Sequence, residues 1–315
     1  MPRFMRAIVT GGAGFIGSNL VDALIERGDE VTVVDNLATG KRENLAGALE
    51  RGAELVEESI TDAAAMVKLA ERVKPEAIFH FGAQIDVRKS AADPAWDASV
   101  NVVGTINMLE AARITEVQRF INSSTGGAIY GEAQQIPAPE THPAVPEAPY
   151  GLSKFCAEHY CDFHRRFHGV PAVSLRYGNV YGPRQDPLGE AGVIAIFCGK
   201  LLSGEKPTIF GDGTQTRDYV YVSDVVAANL AALDHAEAVG PYNVGTDRES
   251  SVLDLVESLR KLTGDGASFE PEFAPARKGE VQHIALDTTR AREELGWQAQ
   301  VGLDDGLERT LASLR

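Results

Sequence analysis

Tyr150 and Lys154 stand four residues apart in Tyr150-Gly-Leu-Ser-Lys154, a spacing that puts two side chains on one face of a helix. Pro149 just before them is a helix-start signal, and the residues that follow can stay helical. An ammonium beside a phenol favours the phenolate, so the pair predicts a tyrosine of lowered pKa able to transfer protons near neutral pH. Tyrosine and lysine meet at this spacing often by chance, and the weight of the pair comes from what precedes it.

Upstream, the short apolar run Arg6–Thr10 leads into Gly11-Gly-Ala-Gly14-Phe15-Ile16-Gly17 and then a helical pattern. Gly11 permits a tight turn, Gly14 lets backbone amides approach a pyrophosphate at the positive end of the helix, and Gly17 lets that helix sit close on a sheet. A second strand, Glu30–Asp35, ends in a carboxylate 18 residues after Gly17, where it can accept both hydroxyls of an adenine ribose. A carboxylate there repels a 2′-phosphate, so NAD is expected rather than NADP. The plain alternative, a glycine-rich turn that binds nothing, leaves the order strand, glycines, helix, strand, acid without a reason.

The elements that must position these residues can be read from the same chain. Six apolar strand signals, Arg6–Thr10, Glu30–Asp35, Ala53–Glu57, Ala77–Gly82, Arg119–Ser124 and Ala172–Tyr177, are separated by helical patterns. That alternation predicts an α/β fold, a doubly wound parallel sheet of Rossmann type, with ligands beyond the carboxyl ends of the strands. After Tyr177 prolines and glycines break the chain into short pieces, which predicts a smaller substrate lobe. The expected division is 1–177 and 178–315, with part of 220–247 returning to the sheet through a strand at Tyr242–Gly245. Helices are expected in the later part of Val220–Asp234, over Val252–Leu262 and over Thr288–Leu295.

Bulk properties narrow the partners. The chain has 315 residues, with 45 acids against 30 bases and a net charge of −15, which argues against nucleic acid and anionic membrane surfaces. No leader and no apolar run of membrane length is seen, so a cytoplasmic protein is expected. The three cysteines form no paired pattern. Cys156 with His159, or Cys161 with His164, would point in different directions around a helix, and no metal is expected.

With these residues in view, the chain resembles the extended short-chain dehydrogenase/reductase family, and within it the UDP-glucose 4-epimerases and other nucleotide-sugar epimerases. The resemblance spans nearly the whole chain. It rests on Thr10–Gly17, Asp35-Asn-Leu, His80-Phe-Gly-Ala83, Asn101-Val-Val-Gly-Thr105, Ser123-Ser-Thr, Tyr130-Gly, Tyr150–Lys154, Leu175-Arg-Tyr-Gly-Asn179 and Gly211-Asp-Gly-Thr-Gln-Thr-Arg-Asp-Tyr219. It implies Tyr150 as the acid/base, Lys154 as the group that holds the nicotinamide ribose, and a hydroxyl from Thr125 or Ser124 on the reacting sugar, with Thr125 preferred. It also implies a dinucleotide site lined by Gly11, Gly14, Phe15, Ile16, Gly17, Asp35, Asn36, Thr39, Gly40, Ser59, Ile60, Phe81, Gly82, Ala83, Gln84, Asn101, Tyr150, Lys154 and Tyr177. Asn101 has the alternative of capping the helix after it, and His80 reads better as a satisfied core histidine than as a catalyst. The substrate residues implied are Asn179, Val193, Thr208, Phe210, Tyr219 and Glu280, with Arg217 and Arg277 on the diphosphate. The alternatives for the two arginines are an ion pair of Arg217 with Asp218 or Asp224, and a solvated patch of Arg277 with Lys278.

Two departures from the family pattern stand out. The usual hydroxyl slot falls on Gly126, so the segment must shift by a residue, and Ser59 occupies the place of an acid near the adenine. The implied reaction is inversion at C4 of a UDP-hexose: proton to the tyrosinate, hydride to NAD, rotation of the keto sugar, and return of the hydride. UDP-glucuronate and UDP-N-acetylglucosamine remain alternative substrates. A dehydratase needs an acidic pair after Thr125, where Gly126-Gly127 stands; a decarboxylase and a non-catalytic NAD-binding sensor are weaker alternatives. The resemblance further implies a homodimer joined through the helices around Asn101–Arg113 and Tyr150–His168.

Overall fold

In the computed structural model, which describes residues 4–187, 192–263, 269–276 and 281–315, seven parallel strands form one sheet. They are β1 (Arg6–Thr10), β2 (Glu30–Val34), β3 (Glu54–Val56), β4 (Ala77–His80), β5 (Arg119–Thr125), β6 (Ala172–Tyr177) and β7 (Gly240–Val244). Their order is β7-β6-β5-β4-β1-β2-β3. The chain winds outward from β1 to β3 and then restarts at β4 on the other side of β1. The direction therefore reverses between β1 and β4, where such sheets open a ligand crevice.

The two-residue alternation of the strands builds a core on each face. Ala7, Val9, Phe79 and Ile121 join Leu20, Val21 and Leu24 of helix α1 (Phe15–Arg27) on one side. Ile8, Ile78 and Phe120 join Met66 and Leu69 of α2 (Ala63–Val73) and Met108 and Leu109 of α3 (Gly104–Ile114) on the other. Helix α4 (Pro149–His168) starts, as its proline predicts, with Pro149 in its first turn. Helix α5 (Val222–Asp234) covers the first face near β5 and β6. Arg119 of β5 grips the carboxyl end of α5, donating to the carbonyls of Ala232 at 2.8 Å and His235 at 2.7 Å.

The expected strands differ from the observed ones only at their ends. Asp35, Ala53, Glu57, Phe81, Gly82 and Gly245 fall outside the observed strands, and Thr125, Gly240 and Pro241 join them. Asp35 keeps one bond to β3, its N–H donating to the Val56 carbonyl at 3.2 Å, while its carboxylate folds back on the backbone amides of Ala13 at 3.0 Å and Leu37 at 2.8 Å.

The later chain adds three short pairs: Asn179–Tyr181 with Tyr219–Tyr221, Thr216–Arg217 with Ser250–Ser251, and Thr208–Phe210 with Glu272–Ala274. Around them Tyr181, Ile194, Phe197, Ile209, Leu255 and Leu307 form a separate core. Asp218 fastens this lobe to its surroundings. Its buried carboxylate accepts from Thr246 N at 2.8 Å, Thr246 Oγ1 at 2.6 Å and Leu286 N at 3.0 Å.

Candidate active site

The carboxyl ends of β1, β2 and β4 make a cradle shaped for a dinucleotide. Gly11 has φ +66°, and a Cβ on it would lie 2.7 Å from the backbone of Phe81 and Gly82. A Cβ on Gly17 would overlap the Gly11 carbonyl, so only glycine lets α1 begin this close to the turn. Gly14 caps α1 without a side-chain hydrogen bond, leaving the first-turn amides of Phe15, Ile16 and Gly17 free of a capping side chain and suited to an anion. Each Asp35 oxygen accepts one amide and has a further lone pair for a hydroxyl. Burial pushes the Asp35 pKa up, against the pull of its two amides. Gly40 closes on the same carboxylate, where a Cβ would lie 2.8 Å from Asp35 Oδ2.

The other cofactor candidates gather around the same crevice. Asn36 and Thr39 are exposed beyond β2, and the Asn36 side chain accepts from Ala38 N at 3.1 Å. Ser59 shares its hydroxyl with Thr61 at 2.8 Å, and the neighbouring Ile60 is packed where Gly82 and Gly104 leave room for it. Phe81 stacks on Tyr177 with centroids 6.5 Å apart, and the Tyr177 hydroxyl pairs with Asn229 at 3.1 Å. Ala83 is half-buried beside Gln84. His80 is bonded at both nitrogens, to Thr10 at 2.8 Å and Thr105 at 3.0 Å, and burial takes its pKa down to about 3. It is a neutral bridge between strand and helix.

Asn101 does not cap a helix. It lies in the π-helical turn Ser99–Val103, between helical segments Pro94–Ala98 and Gly104–Ile114. Such turns free a side chain from the regular ladder. Its amide clamps Gln84, accepting from N at 2.8 Å and donating to O at 2.9 Å, and also donates to Ser153 at 3.1 Å. Asp97, fully buried, accepts from Gln84 at 2.9 Å and Asn101 at 3.2 Å through one oxygen.

The tyrosine–lysine pair sits beside this network. The Tyr150 amide donates to Ser90 at 3.2 Å, and Lys154 Nζ donates to the Ser123 carbonyl at 3.0 Å, bringing α4 onto the end of β5. The pKa expectation for the tyrosine is overturned in the free chain. Desolvation, together with the Asp97 carboxylate, pushes Tyr150 up to about 12. Lys154 does not offset this, because its ammonium is directed at Ser123 and burial lowers its own pKa to about 8.

The two hydroxyl candidates lie on opposite faces of β5. Ser124 donates to Glu158 at 2.5 Å, and Glu158 pairs with buried Arg176 at 2.7 Å. Arg176 goes on to Tyr130 at 2.9 Å, and Tyr130 to Asn243 at 2.8 Å. Ser124 thus belongs to a buried network behind the site. Thr125, half-buried at the strand end, has no side-chain hydrogen bond among the described residues. Gly126 has a physical reason: a Cβ there would lie 2.5 Å from Leu286. A Cβ on Gly127 would lie 3.2 Å from Asn179 Oδ1, so Asn179 reaches the same loop from the other lobe.

Asn179 is the register partner of Tyr219. Arg217 is half-buried next to it and donates to the Thr216 carbonyl at 2.7 Å. Asp218 accepts from Thr246 and Leu286 as above, and Asp224 accepts from Val301 N at 3.0 Å. Thr208 accepts from Lys200 at 3.4 Å, Val193 opens helix Val193–Ser203, and Phe210 pairs with Ala274. Arg277 and Glu280 lie outside the described residues. Sequence reasoning missed Asp97, Ser123, Glu158 and Arg176; the spacings Asp97 to Asn101 and Lys154 to Glu158, each four residues on a helix, were the available signals.

A doubly wound sheet with a glycine cradle at its switch point, and a tyrosine–lysine helix against the neighbouring strand end, defines a nucleotide-dependent enzyme of the short-chain dehydrogenase/reductase kind. The chain belongs to the NAD dependent epimerase/dehydratase family, whose model matches residues 7–245. It is 46% identical over 312 residues to the UDP-glucose 4-epimerase of Mycolicibacterium smegmatis, covering 99% of both chains. Among solved structures, the UDP-glucose 4-epimerase of Thermotoga maritima with UDP-glucose is 48% identical, with TM-score 0.93 over 98% of both chains. The UDP-glucose 4-epimerase of Thermus thermophilus in complex with NAD is 40% identical, with TM-score 0.89 over 98% of both chains.

Proposed function

We propose that this chain interconverts UDP-glucose and UDP-galactose by inverting the sugar at C4, with NAD as its resident cofactor. The observation that carries the reading is 46% identity over nearly the full length of a UDP-glucose 4-epimerase, joined to a cradle that only glycines can form. NAD, when bound, supplies reversible hydride acceptance at the sugar carbon, so no net redox occurs. The first turn of α1 holds the pyrophosphate and Asp35 the adenine ribose. Ser59 and Ile60 lie toward the adenine, and Phe81–Gln84, Asn101 and Tyr177 complete the wall.

Tyr150 moves the proton of the 4-hydroxyl, Lys154 is the cation at the ribose, and Thr125 bonds the reacting oxygen. Support for Thr125 over Ser124 comes from the bond that commits Ser124 to Glu158. Arg217 neutralises the diphosphate, where an arginine fork fits phosphate oxygens, and the family resemblance adds Arg277 to the diphosphate contacts and Glu280 to the substrate contacts. Asn179, Tyr219, Val193, Thr208 and Phe210 line the nucleotide and sugar.

We further read the chain as a cytoplasmic homodimer of galactose metabolism. Leu152, Tyr160, Phe163 and Phe167 form an exposed apolar stripe on α4, and Trp96, Val103 and Ile114 are exposed along the three successive helical segments of 94–114; apolar stripes of this size call for a partner. No helix among the described residues is long and apolar enough to cross a membrane. The test is incubation of the purified protein with UDP-galactose, UDP-N-acetylgalactosamine and UDP-galacturonate. Formation of UDP-glucose from the first at the highest kcat/KM is expected. Preference for either of the others changes the sugar, and no conversion of any overturns the reading.

A further inference from the structure

We propose that Glu110, His164 and His168 form a binding site for a divalent transition-metal ion of the zinc class, outside the NAD and sugar cleft. One ligand atom from each of the three lies within 4.8 Å of the others. His164 and His168 are one turn apart on α4, with ring centroids 5.2 Å apart. Glu110 comes from α3, 54 residues upstream of His164. Spacing along one helix shows His164 and His168 one turn apart but gives no sign of a ligand from a second helix.

The hydrogen bonds around His164 point to a cation. Its Nδ1 is 2.9 Å from the Tyr160 carbonyl oxygen, a contact that requires the hydrogen on Nδ1. In the neutral ring Nε2 is then a lone pair, and it faces Glu110 Oε1 at 3.0 Å. Two acceptors that face each other need a positive charge between them. A proton would serve that pair alone. A metal ion would also use His168, whose side chain has no hydrogen bond among the described residues.

The surroundings suit a metal ligand set. Two atoms bound to one zinc at about 2.0–2.1 Å in a tetrahedron are about 3.3 Å apart, so Nε2 and Oε1 are nearly in place. Closing the set requires only that the exposed His168 turn toward this pair. Arg113 holds the second Glu110 oxygen through Nε at 2.9 Å and Nη2 at 2.7 Å. That leaves Oε1 aimed at the histidines, as outer-shell partners aim metal ligands. The His164 Nδ1–H bond to a carbonyl is the second such support. Two histidines and one carboxylate leave a fourth position for water.

The test is calorimetric titration of Zn²⁺ into the tag-free, chelator-treated full chain. One ion per chain is expected, with a rise in thermal midpoint that Mg²⁺ does not produce. Both His168→Ala and Glu110→Gln should weaken binding at least ~10-fold and abolish the midpoint rise. His168 is exposed and contributes no internal hydrogen bond, so that variant keeps the fold. Absence of saturable zinc binding by the wild-type chain, or undiminished binding by both variants, overturns the proposal. Since neither residue belongs to the sugar site, the outcome is independent of epimerase activity.

Discussion

The Lys154 ammonium donates to the carbonyl oxygen of Ser123 at 3.0 Å, and this bond ties the helix that carries Tyr150 to the strand that ends in Thr125. The spacing of phenol and threonine hydroxyl therefore depends on a side chain that is itself buried. A cation held against a strand carbonyl is both a charge and a brace.

Replacing Tyr150 with phenylalanine removes the hydroxyl that carries the proton and keeps the ring and every other group of the dinucleotide site. The expected result is unchanged NAD affinity and a fall in kcat of about 10²–10⁴-fold. Steady-state conversion of UDP-galactose and NAD titration of the same preparation check it. Full activity in this variant would remove the acid/base assignment.

Asp97→Asn keeps an acceptor for Gln84 and Asn101 but deletes the charge. The phenolate then forms more readily and the ammonium less so. The Tyr150 pKa should fall from about 12 and the Lys154 pKa should fall further below about 8. Tyrosinate absorbance against pH, with Tyr150→Phe subtracted, reads the first change. In the folded wild-type chain Lys154 loses its proton near pH 8, while the unfolded chain keeps it to about 10.5. Unfolding takes up a proton between those values, so this group favours the folded state increasingly as pH rises through them. Asp97→Asn widens that window downward, which urea midpoints at pH 7 and 9 resolve.

Gly17→Ala places a methyl on the Gly11 carbonyl. The strain should cost about 1–3 kcal/mol of stability and displace α1 from the turn, with a loss of NAD affinity larger than that of Gly47→Ala, whose Cβ meets nothing within 4 Å. Equal NAD affinities for the two variants would contradict the role of α1 in phosphate binding.

Arg176→Met leaves Glu158 buried without its cation. A loss of about 3–5 kcal/mol is expected, measured by urea unfolding. Replacing Glu158 with leucine in the same chain should recover part of it.

The strand segments, the glycine cradle and Asp35 are legible in the sequence because each follows from a local backbone or patterning demand. A turn needs positive φ at Gly11, and a helix lying close to that turn needs Gly17. The role of Ser124 is not legible. Its partner Glu158 lies 34 residues away, and strand alternation alone does not tell which hydroxyl faces the cleft. The tyrosine pKa escapes the sequence for a similar reason: the spacing to Lys154 is visible there, whereas the burial and the carboxylate of Asp97 come from packing. The metal ligand set is hidden because it joins two helices.

Strand β7 comes after the chain has passed through the separate core around Tyr181, Ile194 and Ile209, and yet it pairs with β6 over Gly240–Val244. The peptide thus crosses the cleft, returns, and crosses again. Severing it after residue 180 would strip the sheet of its outermost ribbon and expose the backbone of β6 to solvent or to another molecule's strand. The two walls are stitched into one garment, and neither half can be isolated as a self-sufficient fragment by a single cut.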